Sequence, residues 1–173
     1  MRKGYIQVYT GDGKGKTTAA LGLAIRAAGA GLRVFIAQFV KKARCSEHAI
    51  IDERLKDLIT VKQYGEGLIL RRKRTESDVK AAQCGLTEVK EVMGSGQYDV
   101  VILDEINVAV QHHLVDLADL LDIMEKKPRE VELVITGRGA SEQVIEKADL
   151  VTEMKEIKHY WDKKIRARRG IEW

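Results

Sequence analysis

The sequence predicts an α/β fold with a mostly parallel β-sheet and helices on both faces. Two observations support this prediction: short apolar runs alternate with helical patterns along the chain, and a glycine-rich loop directly follows the first apolar run. The chain has 173 residues, of which 45% are hydrophobic and 32% are charged. This length and composition are typical of one globular domain, which we expect to span residues 1–173.

The glycine-rich loop reads TGDGKGKTT and occupies residues 10–18. It departs from the common P-loop pattern G-x-x-x-x-G-K-[ST] because Thr10 stands at the position of the first glycine. The remaining glycines allow backbone N–H groups to turn inward around an anion. We therefore predict that the whole loop binds a nucleoside triphosphate, through Thr10, Gly11, Asp12, Gly13, Lys14, Gly15, Lys16, Thr17 and Thr18.

The segments around this loop have the βαβ pattern that a phosphate-binding loop requires. Residues 5–9 form a β-rich run, residues 17–30 are rich in alanine and leucine, and residues 33–39 read as the next buried strand. The helix would direct the positive end of its dipole at the phosphates. Lys16 supplies a charge and Thr17 a hydroxyl for a bound magnesium ion, so both are candidate catalytic residues. An ordinary glycine-rich turn is the competing interpretation, and this context disfavours it.

The rest of the chain continues the alternation of strands and helices. We predict strands at 60–64, 99–104, 132–136 and 150–154, and helices at 47–58, 75–93, 114–127 and 141–148. Thr75 and Asp78 are spaced as in a capping box, and Pro128 ends the helix before it. The tail, residues 155–173, is basic and lacks clear periodicity.

An apolar strand that ends in acid forms a second group of candidate site residues. The run VVILDE places Asp104 and Glu105 at the carboxyl end of a strand, where carboxylates can reach a phosphate-bound Mg²⁺ together with Thr17. We predict that Asp104 or Glu105 completes this metal site, and Glu105 is a third candidate catalytic residue. Arg138 follows the next strand, where it either binds a phosphate or faces solvent.

Composition disfavours several other functions. The net charge is +4, and no apolar run reaches the roughly 18 residues of a membrane span. The first residues lack the apolar core of a signal peptide, so we expect a cytoplasmic protein. Cys45 and Cys84 indicate no disulfide framework, and we expect Cys84 to be a small core residue. The four histidines lack the spacing of zinc ligands.

Two basic clusters are alternative candidates for a nucleic-acid interface. One is the run Arg71-Arg72-Lys73-Arg74, and the other is the tail. Such clusters are more often solvated faces, and the chain has only nine aromatic residues to stack on bases. We therefore expect neither nucleic acid nor a membrane as a partner.

Several segments together resemble the P-loop branch of the ATP:corrinoid adenosyltransferase family. They are TGDGKGKTTAALGLAIRAAGAGLRVFIAQFVK, VVILDEIN, ITGRGA, ADLVTEM, IKH and ARRGIEW. The resemblance implies a RecA-like fold, ATP with Mg²⁺ or Mn²⁺, a corrinoid co-substrate, an electron donor such as a flavoprotein, and a homodimer. It also implies that reduced cobalt attacks the 5′ carbon of ATP and expels triphosphate, with the nucleotide reversed in its loop.

The segment expected to bind the corrinoid departs from the family pattern. Where members usually carry G-[EG]-G-F-x-W, Leu68 replaces the phenylalanine and Leu70 the tryptophan, and Lys42 replaces a glycine. The resemblance implies that positions 68 and 70 contact the corrinoid, and leucine keeps the apolarity but loses the flat aromatic area. The alternative function is a RecA-like P-loop ATPase or nucleotide-binding module that acts on nucleic acid or a protein partner. A small-molecule kinase is less well supported, because no lid or acceptor base is evident.

Overall fold

The computed structural model describes residues 3–67 and 72–173. Within these residues, six strands form one parallel sheet with the spatial order β3-β2-β4-β5-β1-β6. In chain order they are β1 (Ile6–Thr10), β2 (Val34–Phe39), β3 (Ile59–Tyr64), β4 (Val100–Asp104), β5 (Glu132–Thr136) and β6 (Leu150–Glu153). Because every strand runs in the same direction, the segments that follow β1, β4 and β5 meet at one edge of the sheet.

Helices cover both faces of this sheet. One face packs against α1 (Lys16–Gly29) and against α2 (Ser46–Ile50), which continues as a π-helical turn over Ile51–Leu55. The other packs against α3 (Glu76–Gly94), α4 (Ile106–Gln111), α5 (Leu117–Lys126) and α6 (Glu142–Lys147). In the part of the chain that is described, no helix is long and apolar enough to cross a membrane.

The sequences of the strands account for their positions in the sheet. The central strands β2 and β4 read VFIAQF and VVILD and are buried along their whole length, since helices cover both of their faces. In contrast, all four residues of the edge strand β6 are exposed. The fold class predicted from the alternating pattern is confirmed.

Four local differences from the predicted elements have physical explanations. The short helix α4 follows β4 after only one residue, and its run INVAV has no helical periodicity long enough to recognise. Helix α5 begins at Leu117 rather than at 114, because Asp116 is extended and precedes the first helical residue. Cys84 was expected in the core but is exposed on α3. In the tail, Tyr160–Lys163 forms a 3₁₀ turn.

The predicted capping box at the start of α3 is confirmed. The Thr75 backbone N–H donates to Asp78 Oδ2 over 2.8 Å, and the side chains of these two residues also bond. The two terminal nitrogens of the Arg72 guanidinium each donate to the Asp78 carboxylate over 2.6 Å. These bonds hold the pKa of the Asp78 carboxyl, which is 2% exposed, well below its usual range. A buried charge is therefore fully paired at this helix end.

Candidate nucleotide-binding site

The loop of residues 10–18, hereafter the cradle, connects β1 to α1 and is shaped by the chain that follows β6. The Gly13 N–H donates to the Met154 carbonyl over 2.7 Å. A Cβ atom on Gly11 or Gly13 would lie 2.5 or 2.7 Å from that oxygen, which is too close for any side chain. Gly15 has φ of +126°. Close approach at two positions and a left-handed backbone at the third therefore explain the glycines.

Lys16 lies in the first turn of α1 and folds back over the cradle. Its ammonium donates to the carbonyls of Gly11 and Gly13 over 2.7 and 2.6 Å, and the residue is only 6% exposed. Burial lowers the pKa of this ammonium, because desolvation disfavours its charge. A cation that is bound only to carbonyl oxygens is well placed to exchange them for phosphate oxygens.

The structure brings Thr17 together with Asp104 at the carboxyl edge of the sheet. The Thr17 hydroxyl donates to Asp104 Oδ1 over 2.8 Å, and Thr136 at the end of β5 donates to the same oxygen over 2.8 Å. Gln38 on β2 donates to Oδ2 over 3.2 Å. Asp104 is 1% exposed. A hydroxyl and a buried carboxylate form the hard oxygen donor set that suits Mg²⁺ or Mn²⁺.

Lys41 also belongs to this group, although it was not among the residues predicted from the sequence. Its ammonium lies 2.6 Å from Asp104 Oδ2 and donates to the Thr17 hydroxyl over 3.2 Å. Burial opposes the charge of Lys41, but attraction to Asp104 and the hydrogen bond between them outweigh it, so the pKa of this ammonium is raised. One feature of the sequence could have indicated this contact. Lys41 comes just after β2, the strand that pairs with β4 and so ends beside Asp104.

Glu105 lies beside this group in a different conformation from Asp104. Its φ of 61° is left-handed, and its backbone N–H donates to the Thr136 hydroxyl over 2.9 Å. Burial and the neighbouring Asp104 charge raise the pKa of the Glu105 carboxyl. Since the Thr17 hydroxyl bonds to Asp104, the geometry favours Asp104 over Glu105 as the carboxylate that could share a cation with Thr17.

The other predicted site residues lie at the rim of the cradle or face away from it. The Arg138 guanidinium lies 3.9 Å from the Asp12 carboxylate, and both side chains are largely exposed. Thr10 accepts a hydrogen bond from the Ala140 N–H over 3.3 Å, and Thr18 is exposed. Lys14 donates to the Ile171 carbonyl over 3.0 Å, so it contacts the tail. The predictions for Leu68, Leu70 and Arg71 fall outside the described residues.

A buried chain of hydrogen bonds leads from Asp104 away from the cradle. The Gln38 carboxamide oxygen is 2.8 Å from His48 Nε2, and His48 Nδ1 accepts from the Cys45 N–H over 2.9 Å. Cys45, Glu47 and His48 bring potential ligand atoms together, but both ring nitrogens of His48 are already hydrogen-bonded. We therefore interpret His48 as an anchor for Gln38, which orients Asp104.

Comparisons with known proteins give the relatives of this chain. The profile of the family described as ATP:corrinoid adenosyltransferase BtuR/CobO/CobP matches residues 2–173. A corrinoid adenosyltransferase of Sinorhizobium sp is 37% identical over 99% of this chain and 81% of its own length. Those of Pseudomonas aeruginosa and Escherichia coli K12 are 32% and 31% identical over 99% of the chain, and the matches cover 84% and 86% of their own lengths.

Among solved structures, the KaiC-like protein PH0186 of Pyrococcus horikoshii has a TM-score of 0.62 at 15% identity, covering 90% of this chain and 75% of its own. That likeness concerns the fold alone and agrees with the predicted RecA-like P-loop fold. The sequence relationships go further, because they extend over nearly the whole chain at more than 30% identity. The chain belongs to the ATP:corrinoid adenosyltransferase family.

Proposed function

We propose that this protein binds ATP in the cradle and transfers its 5′-deoxyadenosyl group to the reduced cobalt of a corrinoid. In this reaction a cobalt–carbon bond forms, the bond between the 5′ carbon and triphosphate breaks, and the bonding electron pair leaves with the triphosphate. The observation that carries the proposal is the contact between Thr17 and Asp104 beside the Lys16 ammonium, in a chain of this family.

The role of the cradle in this reaction is to position the nucleotide and to neutralise charge. Reduced cobalt is already a strong nucleophile, so the reaction needs no general base from the protein. The leaving group is a whole triphosphate, and its developing charge needs cations and N–H donors held in place beforehand. Lys16 and the cradle amides supply them, and Arg138 at the rim is a further cation for the phosphates.

Thr17 and Asp104 would hold Mg²⁺ or Mn²⁺, with Glu105 as an additional carboxylate nearby. When bound, such an ion supplies positive charge to the triphosphate. The hydrogen bonds that Asp104 accepts from Thr136 and Gln38 fix its orientation before any ligand arrives. Because Asp104 is buried, its charge is poorly screened by water and acts strongly on a neighbouring cation.

The partners and the location are proposed by analogy with the family. We propose a homodimer, and the exposed edge strand β6 supports this because Leu150 and Val151 are 45% and 40% exposed. An electron donor such as a flavoprotein would reduce the cobalt, and the reaction would take place in the cytoplasm.

The leucines at positions 68 and 70 would contact the corrinoid, so Leu68→Phe should improve turnover from cobalt(II) more than from cobalt(I).

Product analysis tests the proposal directly. The protein is incubated with Mg-ATP and a chemically reduced corrinoid, and the products are separated in the dark. We expect intact triphosphate and a light-sensitive alkylcorrinoid in equal amounts. Formation of ADP and phosphate without an alkylcorrinoid would instead indicate the alternative, a P-loop ATPase. The variant Lys16→Ala should form neither set of products.

A further inference from the structure

The Lys41 ammonium contacts both of the groups that are proposed to hold a divalent ion, Thr17 and Asp104. It contacts the same hydroxyl, at 3.2 Å, and the same carboxylate, at 2.6 Å. Its side chain is 23% exposed, whereas that of Asp104 is 1% exposed. A divalent ion held by this hydroxyl and this carboxylate would compete with the ammonium, because two cations that close together repel each other.

We propose that Lys41 is the resident cation of the nucleotide-free protein and that it leaves Asp104 when the metal and nucleotide bind. This inference rests on the proposed metal role of Thr17 and Asp104. Without Lys41, the empty site would contain a buried carboxylate that accepts only neutral donors, Thr17, Thr136 and Gln38. A buried charge left unpaired in this way is strongly destabilising. Lys41 removes that cost while no ligand is bound.

The exchange makes metal binding depend on the nucleotide. A divalent ion arriving alone must displace an ammonium that Asp104 already holds over 2.6 Å. When ATP arrives with the ion, its phosphates add negative charges that attract both the ion and the released ammonium. Lys41 therefore acts as a positioning residue: it weakens metal binding to the free protein and strengthens the thermodynamic coupling between metal and ATP.

The neighbouring Lys42 offers a matched control. It is also a lysine, but its ammonium pairs with Glu66, and its side chain is 65% exposed. The two variants Lys41→Met and Lys42→Met therefore remove the same charge from adjacent positions, and only the first empties the space beside Asp104. Lys41→Gln is a second test variant, because glutamine can still donate a hydrogen bond to the carboxylate without carrying a charge.

The experiment is a titration of the nucleotide-free protein with Mn²⁺, in which free Mn²⁺ is followed by electron paramagnetic resonance. We expect Lys41→Met and Lys41→Gln to bind Mn²⁺ about tenfold more tightly than the wild type. Lys42→Met should change the affinity less than about twofold, since exposed charges are screened. In the same variants, Mn²⁺ should improve the affinity for ATP by a smaller factor than in the wild type.

An unchanged Mn²⁺ affinity in a folded Lys41 variant, or an equal increase in Lys42→Met, would overturn the inference. Far-ultraviolet circular dichroism verifies folding, and Lys41→Gln preserves the test if Lys41→Met does not fold. The readout requires neither ATP nor a corrinoid. If the wild type forms the alkylcorrinoid while the Lys41 variants bind Mn²⁺ no more tightly than it does, the proposed function stands and this inference alone fails.

Discussion

The cradle and the C-terminal tail are opposite kinds of structure, although they touch. Around the cradle, Asp104 and Thr136 are 1% and 0% exposed and are bonded to side chains from other strands and from α1. In the tail, residues 155–173, Ile157 and Trp161 are 85% and 67% exposed. Two of the contacts between the tail and the body are made by Lys14 with the Ile171 carbonyl and by Ser46 with the Trp173 carbonyl.

This difference shows that the cradle is the more rigidly held of the two regions. The polar groups that would receive phosphates and a metal ion are fixed by buried hydrogen bonds before a ligand arrives, which is the requirement for electrostatic stabilisation of a leaving group. The tail contributes apolar side chains that the sheet does not bury. Substitutions should therefore have large effects at the cradle and small effects in the tail.

The largest effect is expected for Lys16→Ala. This change removes the ammonium that bonds to the Gly11 and Gly13 carbonyls, and with it the charge available to the triphosphate. We expect the affinity for ATP to fall by roughly 100-fold, equivalent to about 2.8 kcal/mol. Isothermal titration calorimetry measures it, with Lys80→Ala on the exposed surface of α3 as control. Unchanged affinity would show that the cradle does not bind the nucleotide.

The next largest effect is expected from a glycine-to-alanine substitution in the cradle, compared with the same substitution in α1. Gly13→Ala places a methyl group 2.7 Å from the Met154 carbonyl oxygen, so the chain after β6 must move and the cradle must open. We expect a loss of about 1–3 kcal/mol in the free energy of unfolding. Gly22→Ala in the middle of α1 meets no atom within 4 Å, and should instead stabilise the protein by about 0.5–1 kcal/mol.

Urea denaturation of both variants measures these changes. An equal loss of stability in both variants would contradict two explanations. These are close packing at Gly13 and helix propensity at Gly22. Equal stability of Gly13→Ala and the wild type would show that the close approach of Met154 does not shape the cradle.

A third prediction concerns Asp78, a buried charge that lies in neither the cradle nor the tail. Arg72→Met removes the partner of Asp78 and should lower the free energy of unfolding at pH 7. Because the pKa of Asp78 is lowered in the folded protein, the stability from this pair is present above the unfolded value of about 3.9 and is lost as the pH falls. The free energies of unfolding of the variant and the wild type should therefore approach each other as the pH falls from about 4 to about 2.

Denaturation curves recorded across this pH range test the sign, with Lys73→Met as the neighbouring control. A difference that widened with acidification would mean that Asp78 is not held in its charged form by Arg72.

The smallest effect is expected in the tail. Ile157→Ala removes part of a side chain that is 85% exposed. The free energy of unfolding should change by less than about 0.5 kcal/mol. A melting curve measures it. A loss comparable to that of Gly13→Ala would contradict the division between a rigid cradle and a weakly held tail.

Much of this division was predictable from the sequence. The strands, the helices that follow them and the cradle are set by local patterns: apolar runs, glycine spacing and the acid at the end of β4. Thr17 and Asp104 were predicted to share a site because parallel strands end at one edge, and their hydroxyl and carboxylate do meet. The roles of the individual site residues remain predictions.

What the sequence did not reveal depends on side-chain paths and on residues distant along the chain. Lys41 reaches Asp104 across 63 positions, a contact that no local pattern in the sequence indicates. The single residue between β4 and α4 is Glu105 in a left-handed conformation, which the run INVAV does not indicate. Cys84 was expected to be a small core residue inside a predicted helix, but it is exposed.

The place of β1 in the sheet has a consequence for synthesis on the ribosome. Ile6 pairs with Leu133 and Gln7 with Leu150, so β1 is translated long before the two strands that pair with it. At about 5–20 residues per second, this delay is on the order of ten seconds. During that time the nascent segment cannot complete its substrate site. The cradle can therefore take its folded form only after the Met154 carbonyl that bonds to Gly13 has been synthesised.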